Sequence, residues 1–435
     1  MKLSTQPYKG ARDFYPEDKR LQKYVFNVMR GVCESFGYQE YDAPILEPTE
    51  LYASKTSDEI VNEQTYTFTD RGNRSVTVRP EMTPTVSRMV AARRQELAYP
   101  ARWYSIPNFW RYERPQRGRL REFWQLNVDV FGIAGIEADY ETIQIADSIM
   151  QKFGAKRDMY KISLNSRKLI NTLVEEVLKL DEVQAATLIR LIDHMHKMDY
   201  AEFVGQADAI FNPSQRENGE PEQLQAFLQT KSLDDLPEAL RSHESVVELQ
   251  ELQKLLTNAG ITNAAFDPSL MRGFDYYTDI VFEVFDTHPD NNRSMFGGGR
   301  YDGLVALFGV EPIATVGFGM GDVTLQNFLE LHELMPKLVS ETDVYVVVVG
   351  QEVYLPAQKV VKELREMGLN VALGSPDQKV DKQIKTAVKL GIQYAFFVGA
   401  KELESQQYVI KDLQAGSEET HGLQRVVSII KDYRK

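Results

Sequence analysis

From residue 343 to its end the chain keeps a steady rhythm of short apolar runs and longer amphipathic ones. Residues 344–349 read as a strand, 356–367 as a helix, 369–372 as a strand and 379–390 as a helix. Strands follow at 394–398 and 408–413, and a helix closes the chain near 423–432. Strands alternating with helices of about 10–15 residues close into an α/β layer, because each helix must bury its apolar stripe on the sheet. The first 335 residues lack this rhythm and predict an antiparallel sheet interrupted by a mostly helical insertion. Two architectures therefore share one chain, with residues 330–340 as the linker. A length of 435 residues, at roughly 100–200 per domain, allows two to four such units.

Near the N-terminus, Leu21, Val25, Val28, Val32 and Phe36 recur at spacings of four, three, four and four, one face of an amphipathic helix. Pro16 precedes it, and Gly37 stands where a left-handed residue commonly ends a helix. Residues 38–46 are extended but interrupted by Pro44, which cannot donate to a ladder, so they predict an edge or interface strand. Residues 64–80 predict a hairpin about Asp70-Arg71-Gly72-Asn73. A helix at 83–94 precedes strands at 103–106, 109–112 and 123–131. Residues 137–153 and 166–260 read as helical, more loosely at 212–221, and β character returns at 281–285.

Several function classes drop out early. No run approaches the roughly 18 apolar residues that span a bilayer, and residues 1–7 contain no apolar signal region. Cys33 stands alone, which excludes an internal disulfide and a thiolate zinc cluster. The expectation is a cytoplasmic protein with no membrane partner. A net charge of −13 argues against general adhesion to nucleic acid, so such a partner would need local basic patches. Residues 166–262 carry 9 Lys and Arg against 17 Asp and Glu, whereas residues 341–435 carry 13 of each.

One basic patch is dense: Arg111-Tyr112-Glu113-Arg114-Pro115-Gln116-Arg117-Gly118-Arg119-Leu120-Arg121-Glu122-Phe123. Guanidinium forks suit phosphate oxygens, and Phe123 offers a ring on which a base can stack. A solvated charged hairpin is the plain alternative. Arg272-Gly273-Phe274-Asp275-Tyr276-Tyr277 groups an arginine, a carboxylate and two phenols able to read a small polar ring; cross-strand tyrosine pairing is the alternative. Gly297-Gly298-Gly299-Arg300-Tyr301-Asp302-Gly303 and Gly317-Phe318-Gly319-Met320-Gly321 permit close backbone approach, although glycine runs in turns are commonplace. Neither is a P-loop or a dinucleotide fingerprint. Glu81 and Thr83 lie at a strand-to-helix junction, where either could simply be a cap. His194 and His196 face opposite sides of a helix, so they read as surface residues rather than metal ligands.

The order and wording of these segments resemble the histidyl-tRNA synthetase family of class II aminoacyl-tRNA synthetases. The likeness runs from Lys9-Gly10-Ala11-Arg12-Asp13 nearly to the C-terminus. The first helix with Gly37, Tyr38 and Pro44-Ile45-Leu46 resembles motif 1, which forms the dimer interface in that family. Arg111 through Asp129 resembles motif 2, and the segments at 270–277 and 297–303 resemble the two histidine-specific motifs. The resemblance implies an α+β catalytic domain with an antiparallel sheet over residues 1–165 and 263–335. It also implies a helical insertion at 166–262 and a C-terminal α/β anticodon-binding domain at 341–435.

The same resemblance implies ATP-dependent activation of L-histidine to histidyl-adenylate, followed by transfer to tRNA(His), with Mg²⁺ accompanying the ATP and a homodimer as the assembly. It gives catalytic roles to Arg111 and Arg272. ATP would meet Arg111, Glu113, Arg119 and Phe123. Histidine would meet Glu81, Thr83, Gln125, Asp129, Arg272, Tyr276, Tyr277 and Tyr301, and the tRNA acceptor end Arg114 and Gln116. Lys379, Lys382, Lys385 and Lys389 share one helical face and are expected to contact RNA. One departure stands out: the family's motif 3 usually ends in Glu-Arg-Leu, and this chain has Asp322-Val323-Thr324-Leu325. An arginine that covers adenine is thus replaced by Thr324, at a cost of roughly 0.5–2 kcal/mol in cation–π contact. The competing reading is a synthetase-like regulator, either a subunit for ATP phosphoribosyltransferase or a sensor of uncharged tRNA.

Overall fold

The structure, a computed structural model, describes residues 3–53, 64–116, 118–195, 198–271, 276–291 and 293–433. It divides into two compact units, Met1–Met335 and Pro336–Lys435. In the first, the strands are β1 (Gln39–Glu40), β2 (Leu46–Pro48), β3 (Tyr66–Thr69), β4 (Ser75–Val78), β5 (Ala101–Ser105) and β6 (Asn108–Trp110). They continue with β7 (Glu122–Phe131), β8 (Tyr160–Ser166), β9 (Ala264–Phe266), β10 (Ile280–Asp286), β11 (Ser294–Arg300) and β12 (Thr315–Gly321). Among the described residues nine strands form one sheet in the order β1-β5-β7-β12-β11-β10-β8-β9, with β6 pairing the start of β7. The ladders from β5 to β8 are antiparallel, and the two outermost, β1 on β5 and β8 on β9, are parallel. The predicted hairpin is β3–β4, extended by β2 into a three-stranded sheet.

Side chains alternate across a strand, so each central strand has one core face and one open face. On the core face, Leu126, Val128 and Val130 of β7 stand beside Met320, Phe318 and Val316 of β12. These join a core with Val25, Met29 and Val32 of the Pro16–Ser35 helix and Ile143, Ile145 and Ile149 of the Glu137–Lys152 helix. Pro16 opens the first helix and Gly37 follows its end at φ +82°, as the sequence pattern requires.

The segment between β8 and β9 is helical. Its longer helices are Glu182–His194, Tyr200–Ile210, Glu220–Leu228 and Glu244–Asn258. Their apolar residues, among them Leu188, Phe203, Phe227 and Leu252, are continuous with the core under the sheet. β8 and β9 are strands that the sequence reading did not anticipate.

The second unit follows its predicted rhythm. Its strands are β13 (Val344–Val348), β14 (Val371–Leu373), β15 (Tyr394–Val398), β16 (Tyr408–Asp412) and β17 (Glu418–His421), ordered β14-β13-β15-β16-β17. β13 is apolar at every position because both of its faces are covered, Val346 packing with Val361 on one side and Val347 with Ala387 on the other. Gln383 reaches from the Val380–Lys389 helix to the Val348 backbone, accepting from its N–H at 2.9 Å and donating to its C=O at 2.9 Å. The chain crosses between units at Met335–Pro336, just beyond the Asp322–Leu331 helix. β17 and the Ala400–Ser405 helix were not foreseen.

Candidate active site

The open face of the sheet becomes a site because its middle has no side chains. Asp129 pairs with Gly317, and Gly299 lies beyond it; Asn127 pairs with Gly319, and Gly297 lies beyond it. A Cβ on Gly317 would stand well inside contact distance of Asp129 Oδ1 and 2.7 Å from the Val128 carbonyl. One on Gly319 would stand 2.8–3.0 Å from the Gln125 side-chain amide. These glycines lie within paired strands rather than turns, which corrects the expectation drawn from their density. Without Cβ atoms, Asp129 and Gln125 can lie across the sheet and floor a cavity of about 400 Å³.

At one end of this cavity sit Glu81, Asp129, Tyr276, Tyr277 and Tyr301. Tyr301 Oη donates to Asp129 Oδ1, and Tyr276 Oη donates to Glu81 Oε2 at 3.5 Å. The Tyr276 ring lies 4.9 Å from that of Tyr277 and 5.7 Å from that of Tyr301. Burial pushes the Asp129 carboxyl up to about 7, against the pull of hydroxyl donors. Burial beside that carboxylate also holds the Tyr301 phenol well above its ordinary value.

The other end is framed by the connection from β6 to β7. Arg111 Nε donates to the Pro80 carbonyl at 2.9 Å, and its guanidinium lies 5.4 Å from the centre of the Phe123 ring. Arg119 pairs with Glu113 at 3.4 Å, the arginine side chain being 62% exposed and so free to move toward a ligand. The five arginines separate by role. Arg111 and Arg119 line the cavity. Arg114 is exposed outside it, together with Gln116, whose backbone bridges Arg119. Arg121 stacks 4.0 Å over Tyr112 and donates to Tyr8 Oη at 3.1 Å, a structural use. Arg117 lies outside the described residues, as do Arg272 and His196. His194 is on the surface, 52% exposed.

Thr83, Gln125 and Phe123 line the same cavity. So does Thr324, whose hydroxyl donates to the Met295 carbonyl at 2.9 Å. Asp322, two residues earlier, accepts from Arg12 at 2.6 Å and from the Trp124 N–H at 3.0 Å, locking the Asp322–Leu331 helix to β7. Asn127, Glu283 and Gln64 are lining residues that sequence reasoning missed. Asn127 shares strand parity with Gln125 and Asp129, and Glu283 is a carboxylate within an apolar strand; either signal could have exposed them.

An antiparallel sheet with an arginine-bearing connection over a polar trough, a helical insertion and a separate α/β unit describes a class II aminoacyl-tRNA synthetase. Within that class the chain belongs to the histidyl-tRNA synthetase family, whose pattern matches residues 10–322; an anticodon-binding-domain pattern matches 343–433. It is 40% identical over 434 residues to the histidine–tRNA ligase of Leptospira biflexa, covering 99% of this chain and 98% of that one. With the histidine–tRNA ligase of Thermoplasma volcanium the identity is 34%, covering 96% of each. The crystal structure of histidyl-tRNA synthetase from Nostoc sp. PCC 7120 superposes with a TM-score of 0.83 at 25% identity, covering 99% of this chain and all of that one.

Proposed function

We propose that the protein activates L-histidine with ATP and transfers it to tRNA(His). One observation carries this reading. Of the fourteen residues assigned to substrates by family likeness, eleven, drawn from four separate stretches of chain, line a single cavity. In this reading ATP lies over Phe123 with Arg111 at its innermost phosphate, Glu113 near adenine and Arg119 at the outer phosphates. Histidine lies beyond, with its amino group toward Glu81, Thr83 and Gln125 and its ring among Asp129, Tyr276, Tyr277 and Tyr301.

The chemistry asks little else of the protein. A carboxylate attacking the α-phosphorus is already ionised, so no base is needed; alignment and charge stabilisation do the catalysis. Arg111 supplies both, and Arg272 is assigned the same task. Magnesium keeps most of its waters and takes one or two carboxylates besides phosphate oxygens. Glu283, on the cavity wall, fits that requirement and would hold the ion; it would supply positive charge to the outer phosphates. Polar groups buried around an imidazole reject side chains that cannot satisfy them, so specificity needs no editing step. Arg114 and Gln116, exposed on the connection, are assigned to the acceptor end of the tRNA. A homodimer through the motif 1 segment and a cytoplasmic location complete the proposal.

A regulatory role is less well supported. An anticodon-binding-domain pattern spans residues 343–433, and Tyr276 and Tyr277 stand in the cavity; only Thr324, in place of a cation, favours it. Purified protein should catalyse ATP–pyrophosphate exchange that depends on histidine. Exchange that is absent, or equally fast with other amino acids, rejects the proposal.

A further inference from the structure

Behind the imidazole end of the cavity lies a group of oxygens that the proposed reaction leaves unused. Asp129 has two carboxyl oxygens. Tyr301 donates to Oδ1, whereas Oδ2 is buried and makes no hydrogen bond among the described residues. Tyr41 Oη and Ser105 Oγ are in the same condition. The three belong together. Trp103 of β5 pairs with Asp129 across the ladder, and Ser105, two residues on, shares its side of the sheet. Tyr41, which follows β1, is anchored by its N–H to the Tyr104 carbonyl at 2.9 Å, and its ring lies 5.6 Å from that of Trp103. Its hydroxyl neighbours both Asp129 and Ser105.

A buried carboxylate oxygen without a donor is costly, and a phenol is a good donor to it. We propose that Tyr41, backed by Ser105, is a positioning residue for Asp129, supplying the hydrogen-bond donor to its second oxygen and so favouring the ionised, correctly aimed carboxylate that reads the imidazole. The inference rests on the assignment of Asp129 to the histidine ring.

The surroundings suit this role. The groups acting directly on the Asp129 carboxyl are two phenols, Tyr301 and Tyr41. Gly317 presents no side chain from β12. Farther out, Tyr276 faces Tyr301, Arg79 faces Tyr41, and Tyr38 senses Asp129 from beside the Arg102–Glu141 ion pair. Tyr301 already occupies Oδ1, so Tyr41 is the phenol left to serve Oδ2.

Tyr41→Phe in the full-length chain keeps the ring against Trp103 and removes only the donor. Histidine-dependent pyrophosphate exchange between about pH 6 and pH 9 then separates the possibilities. The KM for histidine should rise about tenfold at neutral pH, with kcat and the KM for ATP within about twofold. With its donor gone the carboxyl ionises less readily, so the acidic limb of kcat/KM for histidine should move about one unit to higher pH. Ser105→Ala should move both readouts the same way, by less. Asp129→Ala is the reference. If it raises the KM for histidine while Tyr41→Phe leaves both KM and the acidic limb unchanged, the positioning role is overturned and the assignment of Asp129 stands. If Asp129→Ala leaves that KM unchanged, the underlying assignment fails and the role of Tyr41 with it.

Discussion

A buried carboxylate attended by hydroxyls alone is an unusual liability, and Asp129 is one. Its neighbours can donate, but they cannot neutralise a charge, so burial dominates and the carboxyl rises to about 7. Asp139 shows that a cation does not cancel the effect. Paired with Arg300 in a buried ion pair, it too is pushed up to about 7 by burial. The consequence for stability has a definite sign. A carboxyl whose pKa is higher folded than unfolded stabilises the fold fully below about pH 4, and that contribution is lost as pH rises through about 7. Asp129→Asn, which cannot ionise, should therefore gain on the wild type as pH rises. The difference in thermal midpoint should change in its favour by on the order of 5 °C between about pH 5 and pH 8. A difference that stays flat across that interval would show that Asp129 is not held at a raised pKa. Sequence alone does not show that either is buried: Asp129 stands alone between Val128 and Val130, whereas Asp139 lies between Glu137 and Glu141, where an exposed acidic helix start is the plain reading. Family wording picked out the first, and only the folded chain reveals that both are buried.

At the scale of elements, β7, β11 and β12 work as a set, and their glycines do two different jobs. Gly298 faces the core side, where a Cβ would lie 2.5 Å from Phe318 Cα and closer still to the Gly317 carbonyl, both backbone atoms that cannot yield. Gly319 faces the cavity, where its Cβ would meet the far end of the Gln125 side chain, which can swing away. Gly298→Ala should accordingly lose several kcal/mol of stability, the scale of overpacking against fixed backbone, read as a large fall in thermal midpoint or as insoluble protein. Gly319→Ala should melt within about 2 °C of wild type and yet raise the KM for histidine about tenfold by displacing Gln125. Similar losses of stability in both variants would remove the distinction. The strand was legible in principle: Gly317-Phe318-Gly319-Met320-Gly321 alternates with period two, apolar against glycine. Reading its glycines as punctuation hid it. β8 was hidden differently, because six of its seven residues are buried and the alternation that marks a one-sided strand fades.

For the whole molecule, two units with separate cores leave the chemistry in the first and pose the question of what the second contributes. The protein is strongly acidic overall, yet the second unit turns one row of cations outward. Lys379, at the N-cap of the Val380–Lys389 helix, and Lys382, Lys385 and Lys389 within it are all exposed, while Gln383 and Ala387 of the same helix are buried. This pattern was readable from the spacing alone, because a helix sorts residues three and four apart onto one face whatever the tertiary context. A solvated helix face would show the same spacing, so the decision belongs to an experiment that separates RNA contact from catalysis. Replacing all four lysines with alanine in the full-length chain leaves the cavity untouched, and histidine-dependent pyrophosphate exchange should stay within about twofold of wild type. Aminoacylation should weaken through the KM for tRNA. If each lysine neutralises one phosphate of a single-stranded loop, the slope of log affinity against log salt should fall by up to about 3, four contacts at roughly 0.7 each. An unchanged salt slope would make the row a solvated face. Equal losses in exchange and charging would mean that the substitutions damage the fold rather than an RNA contact.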